Sequence, residues 1–138
     1  MGRQFQDRKT EKYYYAWVWG QMEKLEGTVD LPLCVDWENR PRQQVNFEHG
    51  RRAITHYICQ RVEADRSLVK LKPITGRSHQ LRVHMMELGH PILGDHLYAP
   101  PEAQAAAPHL YLHAAMLSFN HPLSGERLSF EAPAPFPL

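Results

Sequence analysis

The chain has 138 residues, 43% of them hydrophobic, enough for one modest domain with its own core and no need of disulfide or metal support. No apolar run approaches a membrane span, and the start Met-Gly-Arg-Gln-Phe-Gln-Asp-Arg-Lys has no hydrophobic signal core, so a soluble, cytoplasmic protein is expected. The net charge of +1 conceals a polarity: residues 66–90 carry Arg66, Lys70, Lys72, Arg77 and Arg82 against Glu87 alone, whereas residues 23–38 hold five acids against Lys24.

In chain order, Tyr13-Tyr-Tyr-Ala-Trp-Val-Trp19 is too aromatic and β-branched to be anything but a strand, ended by Gly20. Alternation puts Tyr13, Tyr15, Trp17 and Trp19 on one face and Tyr14, Ala16 and Val18 on the other, and both faces need cover. Further strands are expected near Thr28–Leu33, Gln43–Phe47, Ala53–Arg61 and Ser67–Leu71, with turn chemistry at Glu48-His-Gly50 and Ala64-Asp-Arg66. Consecutive short strands suggest an antiparallel meander. Cys34 and Cys59 sit singly in apolar strand-like settings and read as buried thiols rather than a disulfide.

One helix is expected from about Ser78 to Leu88, where Leu81, Met85 and Leu88 recur at helical spacing, Ser78 or Thr75 can cap the start, and Gly89 followed by Pro91 stops it. The stretch 99–108 has enough proline to be mainly loop, with an alanine run able to make a short helical turn. A final hairpin is expected from Ala115–Phe119 and Arg127–Glu131 around Asn120-His-Pro-Leu-Ser-Gly125, before a proline-rich tail. The fold class is therefore α+β: a mainly antiparallel, mixed sheet with one principal helix, in a single domain spanning residues 1–138.

The chemistry concentrates at the loop-to-helix junction Thr75-Gly-Arg-Ser-His79, where unpaired backbone N–H groups at a helix start add to the charge of Arg77 and make an anion site for phosphate or carboxylate. Arg82 lies one turn further in beside the apolar stripe, where an uncompensated guanidinium is costly to bury. It needs a carboxylate. None of Asp7, Asp30, Asp36, Asp65 or Asp95 sits in a context that identifies it as that partner, so a partner outside this chain is expected. Asp95, after Gly94, reads as a turn or capping residue rather than a nucleophile. His79 and His84, five apart, do not share a helical face as metal ligands at i and i+4 would, and no metal is expected. His113 reads as packing, and Ser78 lacks a Gly-x-Ser-x-Gly setting.

Four segments carry a family resemblance. Lys12-Tyr-Tyr-Tyr-Ala-Trp-Val-Trp-Gly20, Thr75-Gly-Arg-Ser-His-Gln-Leu-Arg82, Gly89-His-Pro-Ile-Leu-Gly-Asp95 and Leu112-His-Ala114 are similar, in order and spacing, to motifs of the RluA-type RNA pseudouridine synthases. The resemblance covers nearly the whole chain, and Val29-Asp-Leu-Pro-Leu33 with Trp37-Glu-Asn-Arg-Pro41 looks most like one branch of that family, which acts on ribosomal and transfer RNA. The family's nucleophilic aspartate lies in a His-Arg-Leu-Asp stretch upstream, and that tetrapeptide does not occur here.

The resemblance implies a cofactor-free isomerisation in which a uridine is flipped out of structured RNA, detached from its sugar with aspartate help and rejoined through carbon 5. It implies that Tyr14 contacts the flipped base and assists proton removal from carbon 5, and that Arg82 holds the nucleophilic aspartate ionised and oriented. Lys72, Arg77 and His79 are read as RNA-backbone contacts. The chain is then expected to be the carboxy-terminal portion of a catalytic domain, inactive alone, with strand edges and an aromatic flank left open to dimerisation or strand swapping. Two other readings stand beside this one: a non-catalytic RNA-binding module, and a small-carboxylate binder using the Arg77 site.

Overall fold

A computed structural model describes residues 11–120 and 127–131 of the chain. Its first strand, β1 (Glu11–Trp19), is followed by β2 (Glu26–Asp30), β3 (Leu33–Val35), a single 3₁₀ turn (Trp37–Asn39), β4 (Gln43–Val45), β5 (Ile54–Val62) and β6 (Arg66–Pro73). Helix α1 (Gln80–Glu87) and a short α2 (Pro101–Ala105) precede the hairpin β7 (Leu112–Asn120) and β8 (Arg127–Glu131). The class is α+β, as expected, and every pairing among the described strands is antiparallel. The turn and tail expected within residues 121–126 and 132–138 lie outside the described residues.

The strands do not run as a simple meander. Their order is β2-β5-β6-β1-β7-β8, with β3-β4 as a separate two-stranded ribbon. β1 is central because it is apolar on both faces, and only an inner strand with cover on each side keeps both from water. On one face Ala16 and Val18 pack with Val69, Leu71 and Tyr57 against Leu81 and Met85 of α1. On the other, Trp17 and Leu68 pack under Leu93, Ala99 and Ala103, with Tyr15, Trp19 and Tyr111 at the margin. The stretch 99–108 thus has a role that sequence reading did not find: α2 roofs the aromatic face. The aromatic flank expected to be open is covered in part: Trp17 is only 5% exposed, while Tyr13, Tyr15 and Trp19 are half-buried.

Local chemistry sets the boundaries. Gly20, at φ +84, and Gly89, at φ +88, end β1 and follow α1 in the left-handed region that favours glycine. At Gly94, φ is +76 and a Cβ would be driven into the carbonyl of His109, so the turn leading to Asp95 admits no side chain. In the turn after β4, Asn46 Oδ1 accepts the N–H groups of Glu48 and His49, both at 2.9 Å. Cys34 and Cys59 are free thiols, but half-buried rather than buried, because β3 belongs to the small ribbon and Cys59 stands at the bulge in β5.

Helix α1 begins two residues later than its apolar spacing suggested. Neither Ser78 nor Thr75 caps it; His79 occupies the N-cap position at φ 53 without a side-chain cap bond. Thr75 is engaged elsewhere. Its Oγ1 accepts from Ile54 N–H at 3.0 Å and donates to Gln80 Oε1 at 2.6 Å. No helix among the described residues is long and apolar enough to cross a membrane.

Candidate active site

One end of the sheet, the loop after β6 and the start of α1 enclose a cleft of about 650 Å³. Tyr14, Lys72, Arg77, His79 and Arg82 all line it, together with Lys12. Five side chains singled out across 69 residues of sequence (Tyr14 to Arg82) thus share one cavity. Tyr14 reaches it from the central strand, at a register shift between Tyr13 and Tyr14 opposite β7. Bulges of this kind re-aim a side chain without ending the strand. Lys72 closes β6, its ammonium 5.6 Å from the Tyr13 ring centre, and Lys70 stands 4.2 Å from the same ring.

Gln80 organises the loop. Nearly all buried, its side chain accepts from Thr75 Oγ1 and from Arg77 N–H, and donates to Ile54 O at 2.9 Å and to Thr55 Oγ1 at 3.0 Å. The amide therefore has all four of its hydrogen-bond positions filled. This revises the anion site expected at the helix start. The Arg77 N–H goes to Gln80, and Arg77 Nε donates to Arg52 O at 3.0 Å, so much of that junction's donor capacity is internal. The small-carboxylate reading, which rested on that junction, is left with the remaining guanidinium donors of Arg77.

Arg82 does not wait for a partner outside the chain, and that expectation is corrected. Its Nε donates to Asp95 Oδ2 at 2.9 Å and its Nη2 to Oδ1 at 2.7 Å, a bidentate pair in which Asp95 is fully buried and Arg82 18% exposed. These hydrogen bonds donated to Asp95 raise the Arg82 pKa above its already high ordinary value. Asp95 Oδ1 also accepts from Leu97 N–H at 3.0 Å and Tyr98 N–H at 3.2 Å. The turn-capping role read from Gly94-Asp95 and the partnership with Arg82 are one arrangement. The side-on geometry through Nε and Nη2 leaves the end-on edge of the guanidinium available for a second carboxylate.

Tyr98 was not singled out in the sequence. Its ring lies 4.9 Å from the Arg42 guanidinium and 5.1 Å from that of Arg82. Its hydroxyl joins Gln43 N and His79 Nδ1, at 2.8 and 2.7 Å. Burial and then the Arg82 charge push the His79 pKa below its usual value. Both causes favour the neutral imidazole.

Behind the cleft, His84 is fully buried between Thr55 Oγ1, 2.8 Å from Nδ1, and Leu31 O, 2.9 Å from Nε2. A carbonyl only accepts, so Nε2 carries the proton and the Thr55 hydroxyl donates to Nδ1. Burial lowers the His84 pKa. Below about pH 6.5 the unfolded chain binds a proton that the folded chain refuses, so stability is expected to fall as pH drops from about 6.5 toward the depressed folded value. Urea midpoints between pH 7.5 and 5 measure this, and His84→Gln should remove much of the dependence. A midpoint constant across that range would contradict it.

The sequence profile of the RNA pseudouridylate synthase family matches residues 1–87. The chain is 56% identical over 135 residues to the dual-specificity RNA pseudouridine synthase RluA of Pasteurella multocida, covering 97% of this chain and 62% of that protein. It is 57% identical over the same length to RluA of Escherichia coli K12, again 62% of it, and 62% identical over 122 residues to RluA of Vibrio cholerae, covering 88% of this chain and 50% of that protein. Human RNA pseudouridylate synthase domain containing 1 superposes with a TM-score of 0.79 at 29% identity, over 98% of this chain and 59% of that one. Human RNA pseudouridylate synthase domain containing 4 gives 0.76 at 26%, over 97% and 61%. The chain thus spans between half and about three fifths of the length of these relatives.

Proposed function

Because the chain belongs to the RNA pseudouridylate synthase family, we propose that its cleft receives a uridine flipped from structured ribosomal or transfer RNA in the cytoplasm and forms one wall of an isomerase site. The observation that carries this is the gathering of Tyr14 and Arg82 with Lys12, Lys72, Arg77 and His79 around one cavity. Isomerisation breaks the C1′–N1 bond, forms C1′–C5, releases the proton on C5 and returns one to N1. It is redox-neutral and internal to one nucleotide, so it calls for no cofactor.

In this reading Tyr14 lies against the flipped base and assists removal of the C5 proton. Arg82, anchored by Asp95 along one edge, offers its other edge to the nucleophilic aspartate and holds that carboxylate ionised. The aspartate itself belongs to the part of the relatives' length that this chain does not span, and the chain alone is inactive. The same division makes β2 and β8, the outer strands, the edges at which a missing segment or a second copy would add.

RNA affinity is the direct test. Three cleft cations, Lys12, Lys72 and Arg77, each meeting a phosphate would give log Kd against log salt a slope of about 2 to 3. Fluorescence anisotropy with a stem-loop RNA bearing loop uridines, read from 50 to 300 mM salt, measures it. A salt-insensitive or undetectable interaction would contradict the reading. Binding by this chain that persists without isomerisation, even when the missing segment is supplied, would favour the non-catalytic RNA-binding module.

A further inference from the structure

The β3-β4 ribbon has no strand of the main sheet beside it, and an isolated two-stranded ribbon is marginal in water. Leu33 and Val45 pack it against Val83 of α1, and Tyr98 ties it to the cleft. Tyr98, 5% exposed, accepts the Gln43 N–H of β4 at its hydroxyl and packs with Leu33, Ala53 and Val83. The same hydroxyl meets His79 Nδ1, with the two rings edge to face at 5.6 Å and 77°. A backbone N–H only donates, so the phenol oxygen accepts from Gln43, and in the neutral ring protonated on Nε2 its own hydrogen reaches His79 Nδ1.

We propose that Tyr98 is a positioning residue that fixes His79 in the neutral tautomer protonated on Nε2, so that His79 donates a hydrogen bond to an uncharged oxygen of the bound nucleotide instead of pairing with phosphate as a cation. This rests on the RNA reading of the cleft and changes one assignment within it. Three observations support it. His79 lines the cleft while its Nδ1 is held from behind by Tyr98. Its backbone sits at φ 53, a left-handed conformation unfavourable for a residue with a side chain, and such conformations persist where surroundings over-determine them. The charges acting on the ring are Arg82 against Asp95, and Asp95 is already paired with Arg82. Burial and Arg82 both disfavour an imidazolium there.

The test has two arms on the chain as it exists. Ring nitrogen NMR at pH 7 is expected to show His79 as a single tautomer with Nε2 protonated, and Tyr98→Phe, which keeps the ring beneath both arginines, is expected to mix the tautomers. A protonated or mixed ring in the unsubstituted chain would overturn the proposal. In the second arm, His79→Ala is expected to weaken binding of the stem-loop RNA about fivefold to tenfold at every salt concentration, leaving the salt slope unchanged. His79→Gln, which presents an amide N–H near the place of Nε2–H, should restore most of that loss. A salt slope lower by about 0.7–0.9 in His79→Ala would identify a phosphate cation and overturn the donor role alone. An unsubstituted chain that binds no RNA would refute the nucleic-acid reading and the donor role with it, while the ring spectrum still judges the hold of Tyr98 on His79.

Discussion

Asp95→Ala is expected to destabilise the fold by about 3–5 kcal/mol, because it leaves the Arg82 guanidinium largely enclosed without its counter-charge. Arg82 is 18% exposed and Asp95 not at all, so water cannot replace the lost partner without opening the turn. The substitution also removes the acceptor of the Leu97 and Tyr98 N–H groups, which loosens the segment that presents the Tyr98 ring to Arg82. Asp95→Asn keeps one acceptor oxygen and loses the charge, and its cost should be smaller, about 1.5–3 kcal/mol. Replacing both members by apolar residues of similar volume should recover part of the stability, since a buried pair is harmful mainly when broken on one side. Urea unfolding of the four chains measures all of this. A shift within 1 kcal/mol for Asp95→Ala would mean that Arg82 is solvated and that the pair does not hold it.

The second large effect concerns chemistry. In an isomerase assembled from this chain and a segment carrying the His-Arg-Leu-Asp stretch, Tyr14→Phe is expected to lower turnover about 10²–10⁴-fold, the usual range for a positioned acid–base group. RNA affinity should stay within a factor of two. The ring remains to pack against the core cluster that Ala16, Val18 and Leu81 share with it, so the melting temperature should hardly move. Loss of affinity in proportion to turnover would assign Tyr14 to binding. Unchanged turnover would remove it from the chemistry.

The legible parts of this molecule were those governed by local periodicity. The two-faced pattern of Tyr13–Trp19 correctly required cover on both sides, and the spacing of Leu81 and Met85 correctly gave a helix, although Val83, on another face, is buried in a separate cluster. Strand order was not legible, because the insertion of β1 between β6 and β7 is a contact across about fifty residues to β6 and about a hundred to β7. The cover for Trp17 came from a proline-punctuated stretch whose composition said only loop, and its function lies in where Ala99 and Ala103 land. The helix start was misplaced because Thr75, the expected cap, bonds Ile54 and Gln80, neither of which is its neighbour in sequence.

The same division runs through the site. Tyr14, Lys72, Arg77, His79 and Arg82 were found by motif spacing, and they share a cleft. Asp95 was noticed but given half its role. A signal for the other half was present, in that Gly-His-Pro-Ile-Leu-Gly-Asp95 matched a motif of the same family with no chemistry attached to its carboxylate. Tyr98 carried no signal of its own; only the turn capped by Asp95 brings its hydroxyl to His79.

The central claim is that this chain forms one wall of a uridine-isomerising cleft whose nucleophile lies elsewhere. Tritium release from carbon 5 of uridine in structured RNA tests it most directly, measured with the chain alone and with the chain supplied with a segment containing His-Arg-Leu-Asp. No release is expected from the chain alone, and restored release, sensitive to Tyr14→Phe, is expected in the combination. Release by the chain alone would place the nucleophile among its own aspartates and contradict the account.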